Sequence, residues 1–250
     1  MYWSHQLVSG RPPARKKNLQ DLLRLTLGAV ELASTRREAV GAVPAGGSPT
    51  WLPGSLPEYK HAVYETSVVY EFSQLAQHDF RAHGNDAVWE RPLAYLPSGA
   101  QYWRRAHIDM ALFSQARKVE TRIEFGKSSP NTRRLTATRD LKLEEDAHKL
   151  HEAREAHRAH KSDSDPEEDR KLTIENFVVL WDERDSRDRS DAKLTRARAE
   201  AWRKRCLTHA GSATEKLGFA VELEAVAASS LMTLENDAHR TAYAAIYCIA

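Results

Sequence analysis

The chain has 250 residues, of which 41% are hydrophobic and 29% are charged, and its formal net charge is +2. This composition is typical of a globular protein with a sizeable core and a heavily charged surface. Its two distant cysteines, Cys206 and Cys248, exclude a disulfide-rich secreted scaffold and indicate a reducing, cytoplasmic setting. No apolar segment has the length of a signal-peptide core or a membrane span, so we expect no membrane association.

The N-terminal part predicts a helix followed by a linker. Apolar residues recur at helical spacing within residues 18–40. Residues 41–58 are rich in Gly, Pro and Ser, which is typical of a loop. We therefore assign residues 1–57 to an N-terminal helix and linker, and residues 58–250 to the main domain.

The main domain begins with an amphipathic helix and three strands. Residues 58–77 place six apolar side chains on one helical stripe. Glu65 falls inside this stripe, whereas Glu71 lies at its edge. Alternating patterns then predict three strands, within residues 86–96, 103–113 and 119–125.

The remaining elements alternate between helices and strands. Residues 140–161 predict a long helix, and the five consecutive apolar residues 177–181 predict a fully buried central strand. A further helix over residues 191–211 is expected to end at Gly211, and two more strands follow within residues 219–226 and 241–250. The order α-β-β-β-α-β, then α-β-β, predicts an α/β fold with a mixed sheet and helices on its faces.

Two of the predicted strands each contain a carboxylate. Asp109 lies in "HIDMALF" and Glu124 in "RIEFGK", each on the less apolar face of its strand. Adjacent strands lie about 5 Å apart, and carboxylates at that separation repel unless a cation lies between them. Oxygen ligands of this kind suit Mg²⁺ or Mn²⁺ better than zinc. Lys127, just beyond Glu124, would orient a metal-activated water or offset charge on a phosphate.

The element order, together with "ID" in one strand and "IEFGK" in the next, resembles the PD-(D/E)xK nuclease superfamily. That family has the restriction-endonuclease-like fold, with an αβββαβ core. The resemblance covers residues 58–182, so residues 183–250 would form a C-terminal extension. It implies that Asp109 and Glu124 bind Mg²⁺ or Mn²⁺ and that Lys127 assists the attack of water on a phosphodiester. It also implies that a glutamate of the first helix completes the metal site, with Glu65 as first candidate and Glu71 as second.

The lysine departs from the spacing of that family. Two residues separate Glu124 from Lys127, where the family has one, so on a regular strand Lys127 would point away from Glu124. A β-bulge at Gly126 would restore the register, because glycine accepts positive φ. Alternatively, Lys142 or Lys149 of the following helix would take the role.

The surroundings of these residues are basic. Between residues 104 and 142, ten basic residues oppose four acidic ones, a local excess of six positive charges. Such cations suit phosphate contacts, and Trp103 would add stacking on bases. Four arginines are the candidate phosphate contacts: Arg105, Arg122, Arg133 and Arg134.

The sequence therefore predicts a magnesium-dependent endonuclease that acts on nucleic acid, with DNA rather than RNA as the expected substrate. The alternative is a catalytically inactive protein of the same fold that serves as a nucleic-acid-binding or protein-interaction module. A homodimer is compatible with both.

Overall fold

A computed structural model of the chain describes residues 3–7, 13–41, 65–81, 85–92, 107–114, 118–128, 141–160, 172–186, 192–232 and 239–250. In these segments, four helices pack on one seven-stranded sheet, which confirms the predicted α/β fold. The helices are α1 (Pro13–Gly41), α2 (Glu65–Arg81), α3 (Leu141–His160) and α4 (Ala192–Leu217). The strands are β1 (Trp3–Leu7), β2 (Asn85–Pro92), β3 (His107–Ser114), β4 (Val119–Lys127), β5 (Thr173–Ser186), β6 (Val221–Met232) and β7 (His239–Ile249).

The sheet is mixed, with the strand order β1-β6-β7-β5-β4-β3-β2. Strands β4 and β5 are parallel, and the other neighbouring strands are antiparallel. The run from Phe177 to Trp181 is buried in β5, the middle strand, which confirms the predicted central strand. From α2 to β5 the elements follow the predicted order αβββαβ.

Helices cover both faces of the sheet, so the central strands are apolar on both sides. One core joins α1 and α2 to the sheet and contains Phe72 and Phe125. The other joins α3 and α4 to the opposite face and contains Leu143 and Trp202. Among the described helices, none combines the length and the apolar character that crossing a membrane requires.

The N-terminal segment contributes directly to the sheet and to its core. Strand β1, which the sequence pattern did not predict, pairs with β6. Arg15 of α1 contacts the buried carboxylate of Glu224 on β6 at 2.9 Å. The predicted domain boundary after residue 57 lies outside the described residues and stays a prediction.

Helix α4 continues past the glycine at which we expected it to end. Gly211 lies inside the helix, where a glycine costs about 1 kcal/mol relative to alanine without stopping the chain from continuing. The helix ends at Leu217, and the next residue, Gly218, has φ +76°. A left-handed residue after the last turn is a common helix ending that glycine adopts without strain.

Replacing Phe72 with alanine tests the core beneath α2. Phe72 is fully buried, and its ring centroid lies 4.8 Å from that of Phe125. Because the truncation leaves a cavity, we expect the free energy of unfolding to fall by about 3–5 kcal/mol, as measured by urea denaturation. Leu207→Ala is the control, since Leu207 is 44% exposed and its loss should cost no more than about 0.5 kcal/mol. Similar losses for the two variants would contradict this assignment of the core.

Candidate active site

Acidic and basic side chains from four elements meet where β3 and β4 separate. The β3–β4 ladder has its last pair at Met110 and Ile123, and the two strand acids are the next residues, beyond that pair. Helix α2 contributes its first residue, and α3 contributes side chains from its first three turns. The resulting cluster consists of Glu65, Asp109, Glu124, Asp146, Lys142 and Lys149.

The structure brings Asp109 and Glu124 close together, as the sequence predicted. The Phe125 N–H donates a hydrogen bond of 2.8 Å to Asp109 Oδ2, which fixes the Asp109 carboxylate beside β4. Glu124 is 1% exposed. Burial and the nearby charge of Asp109 raise the pKa of Glu124 to about 8, because both disfavour its ionised form.

Helix α3 supplies a second carboxylate with a strongly raised pKa, one that sequence reasoning missed. Burial, together with the charge of Asp109, raises the pKa of Asp146 to about 7, against the opposing effect of Lys142. Asp146 Oδ1 lies 3.3 Å from Lys142 Nζ. Among the described residues, no donor forms a hydrogen bond with the buried Asp146 Oδ2. Sequence spacing could not single out Asp146, because it is one of several acids on a highly charged helix.

Two lysines of α3 compensate part of this negative charge. Lys149 Nζ lies 2.7 Å from Glu124 Oε1. Lys142 Nζ lies 3.3 Å from Glu65 Oε1 as well as from Asp146. Although burial alone would lower the pKa of Lys142, the surrounding carboxylates raise it above its ordinary value. Lys142 therefore stays charged at neutral pH. The alternative prediction, that Lys142 or Lys149 of this helix lies near the strand acids, agrees with these contacts.

Strand β4 has no β-bulge at Gly126, so that prediction is wrong. The glycine instead makes room for a neighbouring lysine side chain. The β4–β5 ladder continues without interruption from Val119 to Lys127, and Gly126 does not have a positive φ. A Cβ atom on Gly126 would lie 2.5 Å from Lys142 Cγ and 2.9 Å from Leu180 Cδ2. The glycine therefore gives the Lys142 side chain room to cross the strand and reach Glu65, while it also contacts Asp146 on its own helix.

Lys127 consequently lies on the other face of β4 from Glu124. Its ammonium group lies 5.1 Å from the centroid of the Trp181 ring, in the core beneath α1 and α2. Its backbone N–H makes a long hydrogen bond of 3.4 Å to Glu65 Oε2. The lysines that the structure brings to the strand acids are Lys142 and Lys149.

Other candidate residues have different surroundings. Glu71 is buried and pairs with Arg36 of α1 at 2.6 Å, so it supports helix packing and lies away from the cluster. Arg122 is 4% exposed and pairs with Glu120 at 3.1 Å, which removes it from the candidate phosphate contacts. The remaining predicted nucleic-acid contacts lie outside the described residues: Trp103, Arg105, Arg133 and Arg134.

The donor chemistry of the cluster suits a hard divalent cation. In the described part of the chain, no three His, Cys, Asp or Glu side chains are already arranged as ligands of one ion. The acids are nevertheless all oxygen donors, as Mg²⁺ and Mn²⁺ prefer. A bound cation would give Asp146 Oδ2, which has no hydrogen-bond donor among the described residues, a partner. It would also offset the mutual repulsion of Asp109 and Glu124.

Comparisons of the chain with models of protein families, with curated proteins and with solved structures found no match.

Substituting Gly126 with alanine tests the crossing of Lys142. The added methyl group collides with the Lys142 stem and with Leu180, so we expect a loss of about 1–3 kcal/mol in the free energy of unfolding. In the double variant Gly126→Ala/Lys142→Ala, the new methyl group no longer collides with the lysine stem. The loss in the free energy of unfolding for the double variant should therefore be smaller than the sum of the losses for Gly126→Ala and Lys142→Ala. Strict additivity in urea denaturation would show that the two residues do not interact.

The raised pKa of Glu124 predicts an inverse dependence of stability on pH. Its native pKa of about 8 lies above the ordinary value of 4.5, so the native state binds more protons than the unfolded state between these values. The free energy of unfolding should therefore fall as the pH rises through this window, in metal-free buffer. Asp146 acts in the same direction up to about pH 7.

Chemical denaturation at a series of pH values measures this dependence. Glu124→Gln should flatten the profile, because glutamine has no proton to lose in that range. Glu200→Gln, at a half-exposed position on α4, is the control and should keep the wild-type slope. A wild-type profile that rises between pH 4.5 and 8 would refute the described environment of Glu124.

Proposed function

We propose that this protein is a metal-dependent nuclease that hydrolyses phosphodiester bonds, with DNA rather than RNA as the proposed substrate. The observation that carries the proposal is the meeting of Glu65, Asp109, Glu124 and Asp146 around two lysines at one end of the sheet. The αβββαβ order from α2 to β5 supports a relationship to the PD-(D/E)xK superfamily.

The charge of the cluster favours a divalent cation. When all four acids are ionised they carry a formal charge of −4, and Lys142 and Lys149 return +2, which leaves −2. We assign Asp109, Glu124 and Glu65 to hold Mg²⁺ or Mn²⁺, with Asp146 adjoining them. Such an ion supplies Lewis-acid chemistry by activating water and polarising a phosphate.

The lysines would have separate tasks in the reaction. Lys142 is 32% exposed and is held between Glu65 and Asp146, so its ammonium group is positioned to donate to a phosphate oxygen as negative charge develops there. Lys149 is 15% exposed and contacts Glu124, so it favours the ionised form of that carboxylate, which metal binding needs. In this proposal Lys142, and not Lys127, fills the lysine role of the family.

The same ion pairs favour one alternative function. Because Lys142 and Lys149 already neutralise half of the acidic charge, the cluster can persist without a metal. In a catalytically inactive protein of this fold, which would bind nucleic acid or another protein, the cluster would serve only to stabilise the structure.

A plasmid-cleavage assay in Mg²⁺ distinguishes the two proposals. Asp109→Ala and Glu124→Ala should each lower the cleavage rate about a hundredfold or more, since each removes a proposed ligand of the metal ion that would activate water and polarise the phosphate. Lys142→Ala should have a similar effect, whereas Lys127→Ala should retain most of the activity.

Lys17→Ala, an exposed substitution on α1, is the control for general loss of positive charge and should leave the rate unchanged. Wild-type protein that cleaves no DNA or RNA with Mg²⁺ or Mn²⁺ would refute the nuclease proposal. A greater loss with Lys127→Ala than with Lys142→Ala would refute the assignment of the lysines.

A further inference from the structure

Two exposed aromatic side chains form a pair at the edge of the sheet. Tyr70 of α2 and Trp89 of β2 have ring centroids 6.1 Å apart and an interplanar angle of 71°, an edge-to-face arrangement. Tyr70 is 39% exposed and Trp89 is 41% exposed. Burial of a large aromatic side chain stabilises a folded protein, so two neighbouring rings with this degree of exposure are unusual. Strand β2 ends the strand order of the sheet, so the pair lies at a boundary of the described fold.

A cation borders this aromatic pair. The guanidinium group of Arg36 lies 5.9 Å from the centroid of the Tyr70 ring, and the Arg36 side chain is 62% exposed although it also pairs with Glu71. Aromatic faces bordered by arginine bind unpaired nucleobases, because every base has a π face that stacks and the arginine attracts the backbone phosphate. The exposed Glu90 beside Trp89 is the one acid next to the rings on β2, and it would disfavour phosphate on that side.

Two elements connect the aromatic pair to the acidic cluster. Trp89 is the direct partner of Met110 in the β2–β3 ladder, and Asp109 is the residue next to Met110. On α2, Glu65 and Tyr70 are five residues apart, which is about 7.5 Å along the helix axis. Cross-strand partners share a face of the sheet, so Trp89 lies on the same face as Met110, the face covered by α2. Glu65 joins the cluster from this helix, so we place the bases that flank a phosphate at the cluster on this face, toward the two rings.

The backbone of β2 changes direction at this point. Glu90 has φ 49°, in the left-handed region that non-glycine residues seldom adopt. The ladder pairs Trp89 with Met110 and Arg91 with Ile108, and omits Glu90 and Asp109 between them. Unusual backbone of this kind is concentrated at functional sites, and here it lies opposite a proposed metal ligand.

We infer that Tyr70 and Trp89 form a stacking site for unpaired nucleobases, so that the substrate of the neighbouring cluster is single-stranded nucleic acid or a single-stranded segment of a larger one. This inference rests on the proposed function for the position of the scissile phosphate. It adds a substrate class, since bases inside an intact duplex have no free face to offer.

Fluorescence anisotropy with a labelled single-stranded DNA oligonucleotide and its duplex, in EDTA, tests the inference without cleavage. Wild-type protein should bind the single strand more tightly than the duplex. Trp89→Ala and Tyr70→Ala should each weaken single-strand binding about tenfold, and change duplex binding much less. Trp89→Phe, which keeps a stacking ring, should retain most of the affinity.

Leu207→Ala is the control, because it removes an exposed apolar side chain from α4 and should leave binding unchanged. Thermal unfolding midpoints within a few degrees of wild type establish that the variants are folded. Equal weakening for single strand and duplex, or unaltered single-strand binding by both alanine variants, would overturn the inference. A dimer in sedimentation that Trp89→Ala dissociates would also overturn it, by assigning the rings to a second copy of the chain.

The two proposals fail in different assays. Selective single-strand binding that depends on Trp89, in a protein that cleaves nothing with Mg²⁺ or Mn²⁺, refutes the nuclease and supports the stacking site. Cleavage that depends on Asp109 but is insensitive to Trp89 on single-stranded substrate supports the nuclease and overturns the stacking site.

Discussion

The contact of Lys142 with Gly126 is the constraint on which the proposed site depends. Only a residue without a side chain lets the lysine stem cross β4 at this distance, since even a methyl group would meet Lys142 Cγ at 2.5 Å. The crossing joins Glu65 at the start of α2 to Asp146 on α3, two helices on opposite faces of the sheet. The packing of helices on both faces of the sheet therefore holds these charged groups in position.

The electrostatics of the cluster follow from where its acids lie. Glu124 is on a strand that is covered on both faces, so it has lost nearly all of its water and depends on Lys149 for compensation. Asp109 and Asp146 add like charge around it. An arrangement that holds buried acids against each other is costly for stability alone, and such arrangements are concentrated at sites that bind cations or transfer protons.

Much of the fold could be predicted from the sequence, because hydrophobic periodicity reports local burial. The stripe on α2, the buried run in β5 and the order of elements all follow from residues close together in the chain. Strand β1 could not be predicted from local sequence, because it forms by pairing with β6, which lies more than two hundred residues away in the chain. The pairing of Asp109 with Glu124 was predictable from adjacent strands, whereas the choice between Lys127 and Lys142 depended on tertiary packing at Gly126. Arg122 was misjudged because a basic segment does not reveal which of its cations is buried.

The position of α1 has a consequence for the timing of folding during synthesis. Its apolar residues, among them Leu23 and Val30, share a core with Ala244 and Ile246 of β7. About two hundred residues separate these partners, so at about 5–20 residues per second the ribosome needs roughly 10–40 s to supply them. During that interval the first helix has an apolar face without its final neighbours, and the central strand β5 has only one of its two flanking strands. The core beneath α1 is thus completed only once β7 has been synthesised, so α1 cannot reach its final packing early in synthesis.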